Sequence, residues 1–302
     1  MLLLVNSSAS SVTARARVVI QKALAADHEV TMAETSRRGH ATRLAQGAAA
    51  VGTDVVAVLG GDGTLNEAAN GLAGTSTALA VLPGGSTNVF ARTIGLPNDP
   101  IEATGVLVEA LARDAIEPVG LGSVNGRYFL FHVGIGFDAE VVRQVERRPG
   151  LKRWAAHPLF VFATLTTWSR HYDRSRPRFT LRFDDGPEVE AAFAVVFNSN
   201  PYTYLGNRPL DVAPDAALDR PLAVFTMRSL GLWTTLSTVA SVLGSGHRAR
   251  RSRAVDYRTD VVRLAVTGHG PFPYQVDGDH LGSIEGLELR YEPDVLRLVM
   301  PT

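Results

Sequence analysis

Apolar and polar positions follow two different rhythms along this chain. In the first part, short apolar runs alternate with stretches of helical spacing. Leu2–Val5 is an unbroken apolar run that stops at the polar turn Asn6-Ser7-Ser8. Ala14–Ala26 follows with helical spacing, Ala14, Val18 and Ala25 being separated by Arg15, Arg17 and Lys22. Val30–Ala33 predicts a second strand, Thr35–Ala50 a helix ending near Gly52, Val55–Leu59 a third strand, and Ala78–Leu82 a fourth, stopped by Pro83. Such alternation predicts a doubly wound α/β sheet, in which ligands gather at the carboxyl ends of the strands. The Gly- and Asn-rich stretches all fall at those ends.

From about Gly120 the rhythm changes. Tyr128–Val133, Arg178–Phe183, Val189–Phe197, Leu222–Met227, Val261–Val266 and Gly286–Tyr291 are strand-like runs separated by turn clusters. They predict an antiparallel, β-rich, sandwich-like domain. The expected boundaries are 1–119 for the α/β domain and 120–291 for the β-rich one, with 292–302 packing back on the first. Two helical stretches interrupt the second half, Leu151–Trp168 and Leu230–Leu243, the latter followed by Arg248, Arg250, Arg251 and Arg253. An apolar helix beside a basic cluster suits an anionic bilayer surface, and equally a plain solvated surface.

The chemistry concentrates in Val55–Leu72. An apolar run ends in Gly60-Gly61-Asp62-Gly63-Thr64, and Leu65-Asn66-Glu67-Ala68-Ala69 begins a helix. Strand, glycine turn and helix N-terminus form an anion site, where amides point outward and the helix dipole favours negative charge. Glycines let the backbone approach a phosphate with no Cβ in the way. A carboxylate there would repel phosphate unless a divalent cation, or a proton to be moved, sat between them. Phosphoryl transfer is therefore the expected chemistry, and the sequence leaves both roles open for Asp62.

GGDGTLNE, followed by Pro83-Gly84-Gly85-Ser86-Thr87-Asn88-Val89-Phe90-Ala91-Arg92, resembles the diacylglycerol kinase catalytic family of lipid kinases, which includes bacterial soluble enzymes and the sphingosine kinases. GGDGT alone is shared with NAD kinases and, more loosely, phosphofructokinases; the second motif narrows the choice. The resemblance implies an active site in the cleft between the two domains. It also implies ATP contacts at Asn6, Ser7, Thr35, Gly60, Gly61, Asp62, Gly63, Thr64, Asn66, Glu67, Gly85 and Ser86, with Mg²⁺ reaching Asp62 through the nucleotide. It places a general base at Asp279, the last position of Asp277-Gly278-Asp279, where the family has glutamate. The acceptor lipid is expected to touch Asn88, Asp138 and Glu140.

Several positions depart from the family pattern. The family's usual first turn is Asn-Pro-x-x-Gly where this chain has Asn6-Ser7-Ser8-Ala9, and Ser86 and Val89 replace threonine and aspartate. Arg220 and Pro221 replace the second acid and the glycine of a loop that in some bacterial members holds a structural Mg²⁺. An arginine repels a cation, so that ion is expected to be absent or differently bound. Gly134-Ile135-Gly136-Phe137-Asp138-Ala139 fits a relaxed dinucleotide fingerprint, but it lies outside a βαβ unit. His132 reads as a core histidine.

Composition sets outer bounds. Of 302 residues, 45% are hydrophobic and 20% charged, a globular balance, and the formal net charge is zero, so any pull towards anionic surfaces must be local. The absence of cysteine excludes disulfides and thiolate metal sites. MLLLVN reads as a core strand and not a leader, and no stretch reaches the ~18–20 apolar residues of a membrane span. Nucleic acid is not an expected partner, since no aromatics interleave the basic cluster. The expectation is a cytoplasmic lipid kinase, transiently peripheral on the membrane, using ATP and Mg²⁺. Its oligomeric state stays open, a homodimer included. The rivals are an NAD kinase and a non-catalytic nucleotide- or lipid-binding regulator.

Overall fold

The computed structural model describes residues 1–146, 176–184, 186–231, 235, 237, 238, 252 and 254–301. The predicted helix Leu151–Trp168, most of Leu230–Leu243 and the four arginines from Arg248 to Arg253 lie outside the described residues. The chain divides into two units, one made of Met1–Leu121 with Glu292–Thr302, the other of Gly122–Tyr291.

The first unit is a parallel sheet with helices between its strands. β1 (Leu2–Val5) pairs with β2 (Thr31–Glu34) on one side and β3 (Val55–Gly60) on the other, and β3 pairs with β4 (Ala78–Pro83). VVAVLG and ALAVLP are buried at every position, as continuous apolar strands in the middle of a parallel sheet should be. TMAE of β2 is mostly exposed and forms the edge. Strand order reverses between β1 and β3, which marks the switch point where an open α/β sheet has its crevice.

The helices start where local chemistry tells them to. Thr13 caps α1 (Ala14–Leu24) by accepting the amide of Ala16, and Asp99 caps α5 (Pro100–Ala112) by accepting those of Ile101 and Glu102. α2 (His40–Ala50) begins five residues later than the expected Thr35. Gly39 sits there in the left-handed region, and the Ser36 amide donates to His40 Nδ1, which holds the intervening residues as a loop. α3 (Asp62–Leu72) and α4 (Val89–Thr93) follow β3 and β4.

The second unit is mostly antiparallel. β5 (Ile116–Val124) leads into it and pairs with β6 (Arg127–Phe129). β7 (His132–Gly136) runs straight into α6 (Phe137–Glu146). The expected strand Val189–Phe197 is two: β9 (Val189–Ala191) pairs with β8 (Phe179–Phe183), and β10 (Phe193–Phe197) lies between β7 and β13 (Leu222–Met227). The break falls at Ala192, whose amide turns to the carbonyl of Met227. β11 (Tyr204–Leu205) and β12 (Arg208–Pro209) pair as a separate two-stranded ribbon, and β14 (Val255–Val261) pairs with β13.

Val261–Val266, expected as one strand, is split at Val262 between β14 and the long β15 (Arg263–Val276). β15 pairs with β8 near its start and with β7 near its end. It returns through Asp277-Gly278 into β16 (Asp279–Val299), whose last residues leave this unit and add to β4 of the first, Arg297 opposite Ala78. Phe129, Phe179, Phe197, Phe225 and Phe272 fill the core.

Candidate functional site

In the first unit, the two loops at the ends of β3 and β4 are zipped together by glycine. The Gly84 amide donates to the Gly60 carbonyl at 2.8 Å. A Cβ on Gly84 would stand 2.9 Å from the Gly60 backbone, and one on Gly85 would stand 2.9 Å from Gly61 Cα. Neither loop can carry a side chain there without moving. Across the switch point, Asn6 Nδ2 donates to Thr64 Oγ1 at 2.8 Å, tying the end of β1 to the first turn of α3. Gly61, the residue before α3, offers no side-chain cap to that helix, and Gly63 is exposed with open space around it. First-turn amides beside an uncapped glycine are what a phosphate group would complete.

Asp62 is placed by the second loop. Its Oδ2 accepts the amide of Val89 at 3.0 Å and its Oδ1 that of Phe90 at 3.1 Å, so the carboxylate caps α4 from across the two loops. Burial pushes its pKa up, and the amides of Phe90 and Val89 and its own amide pull it back. Glu67 turns to α2, accepting the amides of Gly39 and Ala41. Asn88, expected at the acceptor, is buried and closes its own loop: Oδ1 accepts the Gly85 amide, and Nδ2 donates to the Gly85 carbonyl and to Asn98. Ser7 and Ser86 are exposed at the rim, Thr35 is half-buried with its amide on Val5, and Asn66 is buried within α3.

The second unit carries the other group. Asp277 and Gly278 both have positive φ, 48° and 81°, the two-residue turn that Asp-Gly favours between antiparallel strands. This turn delivers Asp279 half-buried, with Arg127 4.0 Å from its carboxylate. Its first residue has a role that sequence reasoning missed. The buried Asp277 carboxylate accepts three successive amides, from Leu130 (2.7 Å), Phe131 (3.0 Å) and His132 (3.1 Å). Only the acid before glycine hinted at it, and that signal reads equally as a plain turn.

Asp138 is buried at the start of α6, where Oδ1 accepts the Tyr202 hydroxyl and Oδ2 the Gln275 amide. Burial pushes its pKa up, and these two bonds partly offset that. Glu140 is also buried, and it accepts from Arg143 and Gln144 on its own helix. Arg220 faces the Asp260 carboxylate, while Asp215 accepts the Tyr257 hydroxyl.

His132 lies in the core, stacked on Tyr202 with ring centroids 4.4 Å apart, its Nδ1 without a hydrogen-bond partner. Burial lowers its pKa to about 3. Below its ordinary value of 6.5 the unfolded chain takes up a proton that the folded one refuses. Stability is therefore lost as pH falls from 6.5 towards 3, by about 2 kcal/mol at pH 5. Asp138 and Asp62 act in the opposite sense, since their raised values let the folded chain keep a proton that the unfolded one releases. Urea unfolding at pH 7 and pH 5 should show His132→Gln losing about 2 kcal/mol less than wild type on acidification. Equal losses in the two proteins would refute this.

Among the described residues no group of three or more His, Asp or Glu side chains could hold a metal ion. With about four lone-pair sites on its two oxygens, the Asp62 carboxylate keeps acceptor capacity beyond the three amides it accepts. The donor set thus fits a magnesium ion carried largely by nucleotide phosphates, and does not fit a resident all-protein cage.

Residues 1–124 match the family model of the diacylglycerol kinase catalytic domain. A diacylglycerol kinase of Bacillus subtilis (strain 168) is 38% identical over 130 residues, a match that spans only 42% of each chain. A protein of Pseudomonas aeruginosa (strain UCBPP-PA14) named "Probable lipid kinase YegS-like" is 29% identical over a 307-residue alignment, covering all of this chain and 94% of that one. A crystal structure from Bacillus anthracis strain Sterne superposes with a TM-score of 0.78 at 24% identity, over 99% of this chain and 94% of the other. A second, of a diacylglycerol kinase from the same organism, gives 0.70 at 21%, over 99% and 96%. The fold is shared with both.

Proposed function

We propose that this chain, whose residues 1–124 match the family model of the diacylglycerol kinase catalytic domain, is a lipid kinase moving the γ-phosphate of ATP to a hydroxyl of diacylglycerol or a related lipid. The observation that carries this reading is the glycine-zipped pair of loops at the switch point, with the uncapped start of α3 between them. Amides of Gly61, Gly63 and Thr64 would hold phosphate oxygens, and Asn6, Ser7, Thr35, Gly85 and Ser86 would flank the nucleotide. Asp62 keeps the second loop against the first and would take part in holding the cation carried by the phosphates. When bound, magnesium–ATP supplies the phosphoryl group and neutralises charge on it.

On the acceptor side, Asp279 would accept the proton of the attacking hydroxyl. An oxygen nucleophile is poor while protonated, and a carboxylate within hydrogen-bond reach removes that obstacle. Asp138 ties α6 to that turn's strand through Gln275, and it and Glu140, at the start of the same helix, would face the acceptor. No helix among the described residues is long and apolar enough to cross a membrane. We take the lipid to be met at a bilayer surface, by a cytoplasmic protein that binds there transiently.

The test is radiolabelled phosphate transfer from ATP with Mg²⁺ to diacylglycerol, sphingosine, phosphatidylglycerol and NAD in mixed micelles. Product on one of the lipids is the expected result. Product on NAD alone would overturn the lipid assignment. ATP binding with no transfer to any acceptor would leave a regulator in place of a kinase.

A further inference from the structure

We propose that Gln275, held by Asp138, is a positioning residue that sets the Asp277-Gly278-Asp279 turn and so aims the Asp279 carboxylate; the inference rests on Asp279 being the base. Gln275 is fully buried, four residues before Asp279 on the strand that enters the turn. Its Oε1 accepts the Gly278 amide at 2.8 Å, and its Nε2 donates to Asp138 Oδ2 at 2.8 Å. The orientation is forced, because a backbone amide can only donate and the side-chain oxygen must face it, leaving the NH₂ for the carboxylate. Asp138 is fixed in turn by the Tyr202 hydroxyl at 2.7 Å.

The sequence leaves room for this arrangement at one place. A Cβ on Gly134 would fall 1.7 Å from Asp138 Oδ2 and 2.6 Å from Gln275 Nε2. The chain of bonds therefore runs Gly278 to Gln275 to Asp138, with Tyr202 closing the far end. Asp277 holds the other side of the turn through the amides of Leu130, Phe131 and His132. A turn tied at both its residues gives the next side chain one backbone frame. Loosening one tie moves that frame, and misplacement of about 1 Å at a reacting group costs about 100-fold in rate.

Gln275→Met keeps the volume and loses both bonds. It is expected to lower kcat by about 10- to 100-fold with the KM for ATP unchanged, and to speed hydrogen exchange at the Gly278 amide. Gln275→Glu can still accept that amide but sets a second carboxyl beside Asp138. The two must share a proton, so its kcat should recover towards wild type at the acid end of the pH profile and fall as pH rises. Faster Gly278 exchange in the methionine variant with kcat within about twofold of wild type would overturn the proposal. So would a loss of kcat with that exchange unchanged. If the methionine variant does not fold, a flat pH dependence of kcat in Gln275→Glu relative to wild type overturns it equally. Asp279→Asn run alongside separates the premises: full activity there refutes the base, while the exchange reading still reports whether Gln275 holds the turn.

Discussion

Asp279→Asn is expected to lower the turnover number for lipid phosphorylation by about 100- to 10,000-fold while ATP binds as before. Asparagine matches the shape of aspartate and cannot take a proton at neutral pH. The turn itself should survive, because its ties run through Asp277 and Gly278. Folding should change little as well, since the Asp279 side chain is 28% exposed and its 4.0 Å approach to Arg127 is a partly solvated ion pair worth about 1 kcal/mol at most. Asp279→Glu places a carboxylate one methylene further out and should keep measurable activity. Steady-state kinetics on the preferred lipid, with calorimetric ATP binding, would check all three statements. An asparagine variant with wild-type turnover would remove the base from Asp279.

Asp277→Ala should cost about 3–5 kcal/mol of folding stability. One buried carboxylate serves three consecutive amides, and each buried donor left without an acceptor costs about 1–3 kcal/mol. Alanine is also strained at φ 48°, where aspartate and asparagine are better tolerated. Asp277→Asn keeps the backbone and one acceptor oxygen, so its loss should be smaller. Urea unfolding of both variants would test the order. A loss under about 1 kcal/mol for alanine would mean that those amides find other acceptors.

The first unit was legible where its demands are local. VVAVLG and ALAVLP announce buried parallel strands, and the glycines after them announce a backbone that approaches something closely. What the sequence hides is where each carboxylate points. Asp62 reaches Val89 and Phe90, Glu67 reaches back to Gly39 and Ala41, and Asp277 reaches 145 to 147 residues away. None of these bonds has a period or a spacing, because each is set by how strands stack in space. The helix α5 was missed although Asp99-Pro100 is a sound start signal, a capping acid followed by proline at the first helical position. Apolar residues at Ile101, Val106, Leu107 and Val108 blur its face, so no clean stripe stands out. β9 and β10 were joined into one strand for a related reason. Ala192 is as apolar as its neighbours, and only its bond to Met227 breaks the run.

The C-terminal segment has a bearing on how the chain is made. Leu296, Leu298 and Val299 are buried in the first unit, and Val295 and Met300 exchange backbone bonds with Gly74 and Ala115. All of the second unit must therefore leave the ribosome before the strand that covers β4 exists. Until then the nascent first unit has an open, apolar edge, the kind of surface that chaperones hold and that strays into aggregation. The loops that would grip a nucleotide are encoded early, but the strand that closes the sheet supporting them follows only after the whole second unit.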